Sequence, residues 1–269
     1  MLYLVNTTKG DEMKKILITG SRSGIARALI ERLKNKDYLI YASTHTSKEA
    51  NILKKIYKDY NNILPFKLDI TDIEDVKIID RLEIDILFCN AAMNNAGNLI
   101  EMDIEKLREN YEVNVFGTVL LIQNFLKKNI NKEGKIIIMS SLSGIIPLKF
   151  IGSYSSTKAS LIKIAETLKM ELAMIGSKIK VCLIEPGLYK TGFNEYMFMQ
   201  GKIRHSYFDK VINLMKLEEF IISNILSKRN LDSIVNKIES SIRSKNPRFI
   251  YRAPLFQVIG SKIYSIFKA

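Results

Sequence analysis

The sequence predicts an α/β fold: a single domain built on one doubly wound parallel sheet, Rossmann-like, with helices on both faces. Three observations lead there. Short apolar runs alternate with helix-period segments along nearly the whole chain. Polar or glycine-bearing residues follow several of those runs, at the strand ends where open α/β sheets bind ligands. No Pro/Gly/Ser-rich linker divides the 269 residues, which include only five prolines.

Taken in order, the first strand lies near 15–19, an apolar run that enters a glycine turn and then a helix near 24–34. Strands follow near 38–43, 63–68 and 84–90, separated by helices near 48–60 and 73–81. A long helix is expected near 103–128. The run from Lys135 to Met139 reads as a buried strand near 135–140, followed by a helix near 154–175 and a strand near 179–185. Helices near 209–225 and 231–244 and a last strand near 248–251 complete the pattern. Residues 1–12 read as an extension ahead of the domain, which is expected to run from Met13 to Ala269, with a substrate lid about 188–226. Truncation to Met13 is expected to leave activity intact.

Tyr154 and Lys158 carry the most chemistry. Residues four apart share a helix face, so the phenol and the ammonium can meet. A nearby cation favours the phenolate and draws a phenol pKa down from about 10, which suits proton transfer near neutral pH. Ser140 and Ser141 stand upstream, at the end of the strand that precedes this helix.

A second constellation opens the chain. The strand that begins near Met13 runs into Thr19-Gly20-Ser21-Arg22-Ser23-Gly24-Ile25-Ala26 and then a helix. Strand, glycine turn, helix is the context that a dinucleotide pyrophosphate needs at a helix N-terminus. Gly20 serves the turn, Gly24 the close approach of backbone to phosphate, and Ala26 stands where a third glycine is common.

With these residues in view, the chain resembles the short-chain dehydrogenase/reductase family over roughly Lys14 to Thr191. The glycine pattern TGxxxGxG is met with Ala26 in its last place. The element after the fourth strand is matched by Cys89-Asn90-Ala91-Ala92, the helical asparagine by Asn114, and the serine by Ser141, with Ser140 and Ser143 as rivals. YxxxK is Tyr154 to Lys158, and PGxxxT is Pro186-Gly187-Leu188-Tyr189-Lys190-Thr191.

The resemblance implies an NAD(P)-dependent oxidoreductase moving a hydride between a nicotinamide and a carbonyl or alcohol. It implies that Tyr154 gives the proton, Ser141 steadies the carbonyl oxygen, and Lys158 lowers the Tyr154 pKa and holds the ribose. Asn114 is implied to hold a water that relays protons to Lys158. Cofactor contacts are expected from Gly20, Ser21, Arg22, Ser23, Gly24, Ile25, Thr44, Asp69, Ile70, Asn90, Ala91, Ala92, Tyr154, Lys158, Pro186, Gly187 and Thr191. Asp69 matches the family's aspartate near the adenine, while Asp72 reads equally as a helix cap. A non-catalytic NADP-binding regulator is the reading from a different class.

NADP is favoured over NAD. No acid stands near Thr44, where a carboxylate would bind the adenosine ribose hydroxyls of NAD. Hydroxyls at Ser43, Thr44, Thr46 and Ser47, with charge from Arg22 or Lys48, suit a 2′-phosphate; turn and capping roles are the plainer alternative. No structural metal is expected from His45, His205 and two cysteines, Cys89 and Cys182. Both cysteines fall in strand patterns and read as buried thiols of a cytoplasmic protein.

The net charge is +13, which attracts anionic partners, yet no nucleic-acid module is visible. From Lys228 onward there are nine Lys/Arg and two Asp/Glu. The tail Ala253 to Ala269 suits either a final helix and loop on the substrate pocket or a subunit neighbour, or peripheral contact with a membrane surface. The aromatic and methionine residues after Thr191 suit a lid over an apolar pocket, hence a lipid-, steroid- or acyl-like substrate, with an acyl carrier protein as the other substrate class. The helices near 103–128 and 154–175 resemble those that the family uses in homodimers and homotetramers.

Overall fold

The computed structural model describes residues 13–193, Tyr207 and residues 227–268. Seven parallel strands form one sheet: β1 (Lys14–Ile18), β2 (Tyr38–Thr44), β3 (Ile63–Lys67), β4 (Ile86–Cys89), β5 (Gly134–Met139), β6 (Ile179–Pro186) and β7 (Ile250–Ala253), in the order β3-β2-β1-β4-β5-β6-β7. The doubly wound prediction holds. The strand order reverses beside β1, so the crevice of such a sheet opens between the ends of β1 and β4.

Alternation along each strand sorts its side chains into two cores. Ile16, Ile18, Phe88, Ile137 and Ile184 face α1 (Gly24–Leu33), α2 (Ser47–Ile56) and a later helix that carries Ile234 and Ile238. Leu17, Leu87, Ile136, Ile138 and Leu183 face the other layer, with Val76, Phe125, Leu161 and Leu172. That layer holds α3 (Ile73–Val76), α4 (Ile104–Tyr111), α5 (Thr118–Asn129) and α6 (Gly152–Met174). The first layer's late helix is α7 (Asp232–Arg243), and α8 (Leu255–Lys268) ends the described chain.

Three elements differ from the sequence-based expectation. The helix expected at 103–128 is broken by a π-helical turn, Glu112–Gly117. Such turns widen the backbone, often at functional sites; here the turn holds Asn114. The helix expected at 73–81 tightens into a 3₁₀ turn at Lys77–Arg81. The strand expected at 248–251 lies at Ile250–Ala253, because pairing with Leu183 to Pro186 sets its register. The extension at residues 1–12, the helix expected at 209–225 and most of the expected lid lie outside the described residues.

Lys135 is buried on β5, and its Nζ donates to the carbonyls of Ser241 at 3.0 Å, Ser244 at 2.6 Å and Ile242. Those carbonyls belong to the open C-terminal end of α7, where a cation complements the helix dipole. The contact ties α7 to the centre of the sheet.

Candidate active site

The strand ends converge as the sequence suggested. Gly20 has φ +68°, and a Cβ there would lie 2.9 Å from Ala91 Cα. Only glycine lets the β1 turn sit this close to the segment after β4. Thr19 locks that junction: its Oγ1 accepts from the backbone N–H of Asn90 and of Ala91, both at 3.0 Å. Asn90 Nδ2 in turn donates to the Thr19 carbonyl at 2.9 Å. Ser23 caps α1 in an extended conformation without a side-chain cap bond, leaving the first N–H groups of that helix open toward an anion.

A cavity of about 580 Å³ runs from this helix start across the ends of β4, β5 and β6. Gly20, Ser23, Gly24, Ile25, Asn90, Ala91, Ala92, Ser141, Tyr154, Lys158, Pro186, Gly187 and Thr191 all line it. Positive-φ glycines, an open helix N-terminus and this volume fit a dinucleotide's pyrophosphate and nicotinamide half.

At the other end of the cavity, Ser141 follows β5, and its Oγ accepts from Ser143 N at 3.1 Å and from Ser143 Oγ at 3.0 Å. The Ser141 hydroxyl also donates to the Pro186 carbonyl at 3.4 Å. Ser140 is buried and donates to the Lys158 carbonyl at 2.8 Å. All three serines line the cavity; Ser143 braces Ser141, and Ser140 is spent on holding α6. Gly144 makes this packing possible, since a Cβ there would lie 2.8 Å from the Lys158 backbone carbon.

Lys158 is 1% exposed. Its Nζ donates to the Met139 carbonyl at 2.9 Å and lies 5.4 Å from the centre of the Tyr154 ring. Burial draws its pKa down to about 7. Burial also pushes the Tyr154 phenol up, while the Ser141 hydroxyl acts to lower it. In both groups desolvation disfavours the charged form.

Asn114 is buried, with its amide fully engaged. Its Oδ1 accepts from Met93 N at 2.8 Å, and its Nδ2 donates to Met93 O at 2.9 Å and Thr157 Oγ1 at 3.0 Å. Thr157 Oγ1 donates onward to the Tyr154 carbonyl at 2.7 Å. The side chain therefore positions the post-β4 segment against the first turn of α6; it does not itself reach Lys158.

The residues expected around the adenosine half are occupied locally. Ser21 Oγ donates to the Ile18 carbonyl at 2.8 Å, and Thr44 Oγ1 to the Thr46 carbonyl at 3.0 Å. Thr46 caps α2 in a capping box with Glu49. Arg22 pairs with Glu49 at 2.9 Å. Asp69 accepts from Thr71 and meets His45 at 3.1 Å; burial would raise its carboxyl pKa, but these partners hold it low. Ile70 is buried, its backbone pressed toward Gly117. None of Ser21, Arg22, Thr44, Asp69, Ile70 and Asn114 lines the cavity.

A profile of the short chain dehydrogenase family matches residues 14–201. The chain belongs to the short-chain dehydrogenase/reductase family. It shares 32% identity over 192 residues, 66% of each chain, with an NADPH-dependent 3-dehydrocapnine reductase of Ornithobacterium rhinotracheale. Identity is 28% over 255 residues with a 3-ketodihydrosphingosine reductase of Bacteroides thetaiotaomicron, covering 92% of this chain and 90% of that one. A short-chain dehydrogenase/reductase of Burkholderia phymatum, solved with NAD, superimposes with a TM-score of 0.78 at 17% identity, covering 93% of each chain. The family's members are oxidoreductases of alcohol and carbonyl groups that use NAD or NADP.

Several features of this dehydrogenase/reductase escaped the sequence reading. Gln257 of α8 accepts from Leu188 N at 2.6 Å, fixing the PGxxxT segment, and lines the cavity with Phe256. Its signal, one glutamine in an apolar tail, is weak. Thr157 lies inside YxxxK, where the motif leaves it unspecified. Phe193, tilted against Tyr154 at 5.7 Å between ring centres, was foreseen only as one of the lid aromatics.

Proposed function

We propose that this protein is an NADPH-dependent reductase of long-chain ketones, acting in the cytoplasm as a homo-oligomer. The carrying observation is the Ser141–Tyr154–Lys158 arrangement at the floor of a large cavity whose remaining wall is mostly apolar, with Ile146, Leu148, Ile151, Leu188, Phe193 and Phe256. The two relatives named above, both reductases with lipid-type names, support a lipid-like ketone over a small one.

A bound nicotinamide dinucleotide supplies the hydride. Gly20, Ser23 and Gly24 would hold its pyrophosphate, and Pro186 to Thr191 its nicotinamide end. The chain's own residues do the rest. Ser141 donates to the substrate carbonyl oxygen as charge grows there. Tyr154 delivers the proton to that oxygen. Lys158, discharging near pH 7, stands beside the phenol to pass a proton back to it. Asn114 and Thr157 hold the first turn of α6 so that these atoms meet.

NADPH is favoured because Arg22 is the exposed cation at the end of the glycine turn, while the acid beside it, Glu49, is engaged by Arg22 and by the α2 cap. The test is steady-state reduction of a panel of long-chain ketones with NADPH and with NADH. Turnover with NADPH supports the reading. Tight NADPH binding without turnover of any carbonyl would instead mark a redox-responsive regulator. Turnover confined to acyl-carrier-bound ketones would favour the 3-oxoacyl reductase reading, which the +13 charge also suits.

Two partner surfaces belong to the proposal. Phe116 near α5 and Met170, Met174 and Ile175 at the end of α6 are exposed, which supports burial against a second copy. On α8, one face lines the cavity through Gln257 and Ser261. Away from the cavity it shows Leu255, Ile259 and Ile263 at 73%, 49% and 50% exposure. An exposed apolar stripe on a strongly basic chain suits peripheral contact with an anionic bilayer. No helix among the described residues is long and apolar enough to cross one.

A further inference from the structure

Asn94 lines the cavity and is only 5% exposed, yet its Oδ1 has no hydrogen-bond partner. A buried amide oxygen left unpaired forfeits its hydration with nothing in return, so it is a feature that requires an explanation. Its neighbours are held from both sides. Met93 exchanges two backbone bonds with Asn114 at 2.8 and 2.9 Å. Asn95 does the same with Asn110, both at 2.9 Å. The Asn95 carbonyl also accepts from Ser153 Oγ at 2.6 Å, one residue before Tyr154. The backbone on both sides of Asn94 is therefore held, and its Oδ1, in the cavity that Tyr154 also lines, is without a protein partner. Among the described residues the other two orphaned atoms, on Ser155 and Glu185, belong to residues outside the cavity wall.

We infer that Asn94 recognises a hydrogen-bonding substituent, a hydroxyl or an amine, on the substrate chain close to the carbonyl. Among the described residues the cavity wall contains no carboxylate, so recognition there falls to this amide and not to an ion pair. Sites built to bond a polar substituent reject the analogue that lacks it, because their own buried groups are then unpaired. The inference rests on the long-chain ketone reading and specifies its substrate: a ketolipid substituted beside the carbonyl.

The experiment compares kcat/KM with NADPH for three 3-ketones of equal chain length: unsubstituted, 2-hydroxy and 2-amino. It uses the full chain, Asn94→Leu and Asn94→Ala, with the affinity of the matching alcohols for the protein–NADP⁺ complex as a second readout. The wild type is expected to prefer one substituted ketone by about 10-fold or more, and both variants to bring that ratio close to one. The two substituted substrates separate a hydroxyl from an amine. An unchanged ratio in both variants, or a wild type that does not distinguish the three, overturns the inference. Equal loss on all three substrates in both variants does so too, because the role of Asn94 is then structural. Absence of turnover with all three, while the alcohols still bind in an Asn94-dependent order, rejects the reductase reading and leaves the recognition site standing.

Discussion

The Lys158 ammonium donates to the Met139 carbonyl at 2.9 Å while standing 5.4 Å from the centre of the Tyr154 ring. A buried lysine bonded to the last residue of β5 is fixed to the sheet, not to the helix that carries it. The Lys158 ammonium is thereby referenced to the strand end that Ser141 directly follows.

Burial lowers Lys158 to about 7 and Lys135 to about 8. In the unfolded chain both stay protonated to about 10.4. Above pH 7 the unfolded chain therefore binds more protons than the folded one, and stability rises with pH. Denaturant unfolding of the cofactor-free protein is expected to show a gain of about 1 kcal/mol between pH 7 and 8. Lys158→Met is expected to remove most of that slope, with Lys135 contributing the remainder at higher pH. A flat or falling profile in the wild type contradicts the assignment.

Gly144 packs against the Lys158 backbone, where a Cβ would approach to 2.8 Å. Gly144→Val is expected to push the Ser141 loop away from α6, at a stability cost of about 1–3 kcal/mol. Its kcat should fall far more than its NADPH affinity, because the pyrophosphate cradle lies at another strand end. Equal losses in both would show that the loop does not act through Ser141.

Gln257→Leu removes the bonds from α8 to Leu188. The expected cost is about 1 kcal/mol in stability, with a raised ketone KM, since α8 forms one wall of the cavity. Co-sedimentation with anionic vesicles should be unchanged in this variant and lost in Leu255→Asp with Ile259→Asp. Vesicle binding that survives the two aspartates would remove α8 as the contact surface.

Arg22→Ala is expected to raise the NADPH KM about 10-fold, the effect of losing one charge-assisted contact, while leaving NADH little changed. Glu49→Gln should act in the opposite direction, by freeing Arg22 from its 2.9 Å pair. Equal effects of Arg22→Ala on both cofactors would show that the 2′-phosphate is bound elsewhere.

The parts of this molecule governed by local periodicity were legible in the sequence. Strands at Lys14–Ile18 and Gly134–Met139 and the long helix ending near Met174 are set by apolar pattern and length, and the glycine turn by its spacing. What could not be read depends on contacts between distant segments. The π-turn at Asn114 arises from bonds to Met93 and Thr157, 21 and 43 residues away. The upward shift of Tyr154 depends on how completely the cavity excludes water, which a Tyr–Lys spacing does not encode. The hydroxyls of Ser21 and Thr44 look free in sequence and turn back onto backbone carbonyls once the chain is folded. Gln257 reaches Leu188 across 69 residues.

The most direct test of the central claim is single-turnover oxidation of bound NADPH by a long-chain ketone, compared between the wild type and Tyr154→Phe. The variant is expected to bind NADPH with wild-type affinity and to lose about 10²–10⁴-fold in the rate of hydride transfer, the span typical of general acid catalysis. A variant that oxidises NADPH at the wild-type rate contradicts the assignment of Tyr154 as the proton donor.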